Sequence, residues 1–141
     1  MVNRFADARP IVMGVLVRDC RMLVAPVTSS LTKEIYYRCI GGGIEFQERG
    51  EDALRREFYE ETGLHVRIEE YLGLLENIFT FDARKVHELI LYSRVSIPDS
   101  EYQPEYVHNE DGSIGKAFWI PVEDVKKGRL KMYPGGPLPY L

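Results

Sequence analysis

The sequence predicts an α/β (α+β) domain, with a mixed β-sheet sandwiched between helices. Three observations carry this. Apolar, β-rich runs flank one long amphipathic segment, and a second, short helical stretch follows near the end of the chain. The 141 residues are 45% hydrophobic and 28% charged, which suits one globular domain, 1–141, with a core of its own.

The elements follow in order. Ile11 to Val17, "IVMGVLV", is a strand closed by the polar "RDCR", and "MLVAPV" continues it, so residues 11 to 27 read as a hairpin. "EIYYRCI" is a third extended run, ending on Gly41, Gly42 and Gly43, read as a glycine turn where a ligand or another backbone can approach closely. From Gly50 to Thr62 the period is helical. Gly50 is read as the N-cap, Glu51 and Asp52 suit the positive end of the dipole, and Gly63 is read as the terminator. "VRIEEYLGLLENIFTF" and "KVHELILYSRVSI" alternate as two long strands joined by a turn at "DARK". "NEDGS" at 109 to 113 is read as a loop, "AFWIPVEDVKKG" as a strand and short helix with Pro121 near the helix start, and "YPGGPLPYL" gives no element. The predicted order is β-β-β-α-β-β-β-α.

Composition narrows the function. A net charge of −4 without a block of Lys and Arg argues against a nucleic-acid polymer as partner. Cys20 and Cys39 lack C-x-x-C spacing and suit reduced, structural thiols. The N-terminal apolar run is too short and interrupted for a membrane span and lacks a signal-peptide pattern, so the expectation is a cytoplasmic protein with no membrane partner. His87 and Glu88 do not begin a zinc-protease motif, since position 91 is Leu.

The helix carries an anomaly. Taking Glu57 as zero, Glu61 lies near 40° and Glu60 near 300°, so three carboxylates share an arc of about 100° beside the apolar stripe of Leu54 and Phe58. Like charges at i,i+3 and i,i+4 repel, and Glu60 and Glu61 also oppose the dipole in the last turn. Arg56 alone cannot offset all three. A hard divalent cation can, because Mg²⁺ takes carboxylate oxygens together with substrate phosphates.

Gly42, Glu48, Arg56, Glu57, Phe58, Glu60, Glu61, Gly63 and Leu64 fill every position of a pattern that reads G, five residues, E, seven residues, R-E-apolar-x-E-E-x-G-apolar. This segment resembles the Nudix box, and the length and order of elements around it are similar to a Nudix domain. The resemblance implies an α/β/α sandwich with the box helix on one side of the sheet and the C-terminal helix on the other. It also implies metal-dependent attack of water on the diphosphate linkage of a nucleoside diphosphate derivative, with Mg²⁺, or Mn²⁺ in its place.

By the same resemblance Glu57, Glu60 and Glu61 are metal ligands, and one of them or a nearby carboxylate is the general base. The Gly42 carbonyl completes the metal shell, Arg56 orients the glutamates, and Glu48 supports the loop or an outer-shell water. A further carboxylate is expected from outside the box. Glu88, mid-strand on the side of Val86, Ile90 and Tyr92, is favoured, with Glu110 and Asp111 as second choices. Tyr36, Tyr37, Phe79 and Phe81 are candidates for stacking a base, against the alternative of core packing. Ile40 stands where many members have proline, and flanking substrate signatures are missing, so the substrate stays open. So do a monomer or a homodimer, and two alternatives to catalysis: a Nudix-like nucleotide-binding or regulatory module, and a structural domain that binds cations incidentally.

Overall fold

The computed structural model describes residues 7–133 and 136–141. Strands β1 (Arg9–Arg18), β2 (Arg21–Thr28), β3 (Ile35–Arg38) and β4 (Ile40–Gly43) precede helix α1 (Gly50–Thr62). Strands β5 (Arg67–Phe81), β6 (Arg84–Ser96), β7 (Glu105–Glu110) and β8 (Ser113–Pro121) follow, then helix α2 (Val122–Lys126). They form one eight-stranded sheet in the order β5-β6-β1-β2-β8-β7, with β3 added to β2 and β4 to β1. The sheet is mixed, because β1 runs parallel to β6 over Arg9 to Leu16 while its other neighbours are antiparallel.

β1 explains the layers. Val12 and Leu16 point into a cluster with Ala53, Leu54 and Phe58 of α1, whereas Ile11, Met13 and Val15 point into a second cluster with Val125 of α2. A strand buried on both faces reads as an unbroken apolar run, which is why "IVMGVLV" shows no alternation. The two helices therefore cover opposite faces, as expected. No helix among the described residues is long and apolar enough to cross a membrane.

Four local expectations are corrected. Gly50 is the first helical residue and Arg49 the cap, because the Arg49 carbonyl accepts from the Ala53 N–H at 2.9 Å and Arg49 has extended backbone. "EIYYRCI" is two strands with different partners: β3 lies on β2 and β4 on β1. The glycines are therefore no turn. Gly41, Gly42 and Gly43 pair in register with Met13, Val12 and Ile11. Lastly, "NEDGS" is the tip of a β7–β8 hairpin, in which Asn109 and Glu110 face Ile114 and Ser113 across Asp111 and Gly112, both at positive φ.

Other expectations hold. Gly63 ends α1 at φ 76°, with its N–H donating to the Tyr59 carbonyl, and Pro121 caps α2. Cys39 is buried and Cys20 exposed, and neither forms a disulfide; burial pushes the Cys39 thiol up to about 12. The C-terminal segment is placed by aromatics: Tyr140 packs 5.7 Å from Tyr92, and Tyr133 lies beside Phe79 and Phe81.

Candidate active site

Helix α1 packs across β4 and β7, and the close approach to β4 rests on a missing side chain. A Cβ at Gly42 would run into the Glu57 carboxylate, with Oε2 and Oε1 at 2.5 and 2.7 Å. The glycine is required for approach rather than for positive φ, and it sets the Glu57 carboxylate directly on the β4 backbone.

Arg56 organises the site. Its Nε and Nη2 donate to the two oxygens of Glu48, each at 2.8 Å, and Nη2 also reaches the Gly43 carbonyl at 3.0 Å. Its Nη1 donates to Glu57 Oε1 at 2.9 Å and to Glu60 Oε2 at 3.2 Å. One planar fork thus ties the loop before the helix, the end of β4 and two of the three helix carboxylates together. The Arg56 guanidinium holds the Glu48 carboxyl down at about 2, helped by the N–H of Glu45, and Glu48 in turn raises Arg56 above its ordinary value.

The three helix carboxylates differ in burial. The Glu60 side chain is 56% exposed, Glu57 17% and Glu61 7%, because Glu61 lies on the buried face of the helix with Leu54 and Phe58. Arg56 makes no bond to Glu61; His108 of β7 does, with Nε2 2.7 Å from Glu61 Oε1. Burial pushes the Glu61 carboxyl up to about 7, against the opposing pull of the hydrogen bond from His108. Its Oε2 is buried without a partner. The same is true of Glu88 Oε1, on a residue 5% exposed and paired in register with Arg9.

Glu57, Glu60, Glu61 and Glu88 line one cleft of about 330 Å³, with Gly41 to Gly43 as part of its wall and Glu110 and Asp111 at its rim. Glu48 does not line it and stands behind Arg56. Two buried carboxylate oxygens without hydrogen-bond partners, on two residues that line one cleft, fit a cation, since an unpaired buried acceptor is costly. Arg9 and Arg38 line the same cleft and add positive charge to it. A second recess of about 270 Å³, lined by Phe81, Tyr133 and Arg84, shares Arg38 and Glu110 with the first.

Three contributors escaped the sequence reading. For His108 a signal exists: Tyr106, His108 and Glu110 alternate along β7, but the loop expected at 109 to 113 overlaps only its end. Arg9 and Arg38 stand at the ends of short or apolar strands, a pattern shared with ordinary surface arginines. The aromatic candidates separate. Tyr37 packs edge-on against Phe118 in the second core cluster, whereas Phe81 lines the recess, with Tyr36 at 5.6 Å and Tyr133 at 4.9 Å.

No match is found among curated protein sequences. Among solved structures, the E. coli ORF135 protein is 18% identical, with 94% of this chain and 84% of that chain covered at a TM-score of 0.61. A MutT NUDIX hydrolase from Burkholderia pseudomallei is 20% identical, with coverages of 84% and 87% and a TM-score of 0.62. An ADP-ribose pyrophosphatase from Streptococcus suis is 14% identical, with coverages of 93% and 84% and a TM-score of 0.61. Identities this low establish a shared fold. The family profile described as NUDIX domain matches residues 8–140, nearly the whole described chain. The chain belongs to the NUDIX domain family and is a hydrolase acting on diphosphate bonds.

Proposed function

We propose that this chain, acting as one domain over 1–141, hydrolyses the diphosphate linkage of a nucleoside diphosphate derivative with the help of bound Mg²⁺, or Mn²⁺. The observation that carries the reading is the pair of orphaned carboxylate oxygens, on Glu61 and Glu88, in a cleft that Glu57 and Glu60 also line. Glu57, Glu60, Glu61 and Glu88 hold the ion, together with the carbonyl of Gly42. A divalent ion bound there supplies charge neutralisation of the diphosphate and a water of lowered pKa.

The protein's own groups do the rest. Arg56 fixes Glu57 and Glu60 through one guanidinium, so their oxygens need little rearrangement when substrate arrives. Glu48 keeps Arg56 in place and stays ionised at any working pH. Arg9, beside Glu88 in the sheet, and Arg38 bind phosphate oxygens in the same cleft. Phe81 and Tyr133 offer ring faces and edges to a base or other planar group, one step beyond Arg38. A carboxylate of the helix or the hairpin rim, among Glu57, Glu60, Glu61 and Glu110, takes the proton from the attacking water. The buried Cys39 thiol, which forms no disulfide, suits a reducing cytoplasmic setting.

The test is a panel of nucleoside triphosphates, oxidised nucleotides, dinucleoside polyphosphates and nucleotide sugars, read by released phosphate products with Mg²⁺ or Mn²⁺. The expected result is turnover of at least one class and loss of most of it in Glu61→Gln. Failure of every substrate with both ions, or a Glu61→Gln variant as active as the parent, would overturn the proposal.

A further inference from the structure

Glu61 is the one box carboxylate that Arg56 does not hold, and among the described residues its only hydrogen-bond partner is His108, 2.7 Å away. Both residues are more than nine-tenths buried, at 6% and 7% exposure. The contact is anchored by the strand. Tyr106, two residues earlier on the same face of β7, lies in the core cluster with Phe58, donates its hydroxyl to the Glu101 carbonyl at 3.0 Å and accepts from the Gln103 N–H at 2.9 Å. Two residues later on that face, Glu110 brings a ligand atom within 4.8 Å of those of Glu61 and His108. The stripe Tyr106, His108, Glu110 thus passes from core to cleft, and the imidazole occupies its middle.

We propose that His108 is a positioning residue for Glu61: its Nε2–H engages Oε1 and so leaves Oε2 as the single oxygen that Glu61 offers to a divalent ion in the cleft. The inference rests on the metal-dependent reading above and assigns a role to a residue outside the box. Nε2 is the ring nitrogen that meets Glu61, and in the tautomer that carries its proton there it donates to Oε1. Oε2 is buried and without a hydrogen-bond partner, on a residue that lines the cleft. Without the imidazole the carboxyl group of Glu61 could rotate about its last bond, and it would offer either oxygen or both. Loss of a group that orients a metal ligand commonly weakens metal binding about 10- to 100-fold.

The test uses the full chain with Mn²⁺ as probe, its affinity read from the electron paramagnetic resonance of the free ion, beside thermal melting of the metal-free protein. His108→Leu removes the donor, and His108→Gln keeps an N–H₂ at nearly the position of Nε2. Expected are a loss in affinity of about 10- to 100-fold for His108→Leu, recovery to within about threefold for His108→Gln, and no directly coordinated ¹⁴N coupling in the parent. Parent-like affinity in His108→Leu, leucine-like weakness in His108→Gln, or direct ¹⁴N coupling from His108 would each overturn the positioning role and leave the hydrolase reading intact. Should His108→Leu not fold, His108→Phe takes its place as the variant without a donor, and the same outcomes decide. A parent that binds no Mn²⁺ at millimolar concentration removes the metal-dependent reading itself.

Discussion

Gly42→Ala puts one methyl group between β4 and α1 and separates two explanations of the triple glycine. The added Cβ would sit 2.5 and 2.7 Å from the Glu57 oxygens, whereas ordinary contact begins at 3.4 Å, so the carboxylate must withdraw by roughly 1 Å. Gly42 lies in β4 and lacks a positive φ, so alanine meets no backbone strain. Relative to glycine, alanine stiffens the unfolded chain and gains about 0.4 to 1 kcal/mol. The displaced group is the end of a flexible side chain, and the net change in stability is about 1 kcal/mol or less, a few degrees in Tm. A misplacement of about 1 Å at a reacting centre costs about 100-fold, equivalent to about 2.7 kcal/mol on the barrier. The assay is kcat/KM on the best substrate of the panel, with a thermal melt of the same sample. A kcat/KM within about threefold of the parent at an unchanged melt would refute the argument that Gly42 positions Glu57. A collapse of the melt would show that the glycine serves strand packing instead.

Two further outcomes follow from burial and charge. Burial raises the folded-state carboxyl of Glu61 to about 7 from an ordinary value of 4.5, so between those values the metal-free folded chain binds more protons than the unfolded one. Stability is greatest below about pH 4.5 for this group and falls as pH climbs to about 7; Glu61→Gln flattens that slope in urea titrations, and a slope equal to the parent's would contradict it. Phe58 has no exposed surface and packs among Val12, Leu16 and Trp119, so Phe58→Ala costs about 3 to 5 kcal/mol by urea unfolding, while its neighbour Tyr59→Ala, on the exposed side, stays within about 0.5 kcal/mol.

The long periodic elements are legible in the sequence. α1, β5 and β6 span most of the residues assigned to them, because an amphipathic period over a dozen residues outweighs local exceptions. The short ones are not. β7 has six residues, three of them polar at the tip, and its strand character arises from pairing with β8 rather than from propensity. Asp111 and Gly112 did mark a hairpin turn, a signal that the loop reading passed over. The division of "EIYYRCI" at Cys39 was hidden for another reason: β1 and β2 pair only at Val17 and Arg18, and a run that follows both must change partner.

The sequence on its own specified a spaced set of glycine, arginine and glutamates, one amphipathic helix to carry them, and through these the family and its chemistry. Local spacing sufficed there, since residues 56 to 61 share a helix and their mutual angles follow from its pitch. What the helix faces was decided only in three dimensions. Glu88, Arg9, Arg38 and Glu110 reach the cleft from β6, β1, β3 and β7, and His108 meets Glu61 across 47 residues of chain. Such contacts depend on sheet order and register, which no local pattern encodes. The three glutamates that looked alike in sequence are consequently three different groups: Glu60 exposed, Glu57 held between Arg56 and the Gly42 backbone, and Glu61 buried against an imidazole with one oxygen free.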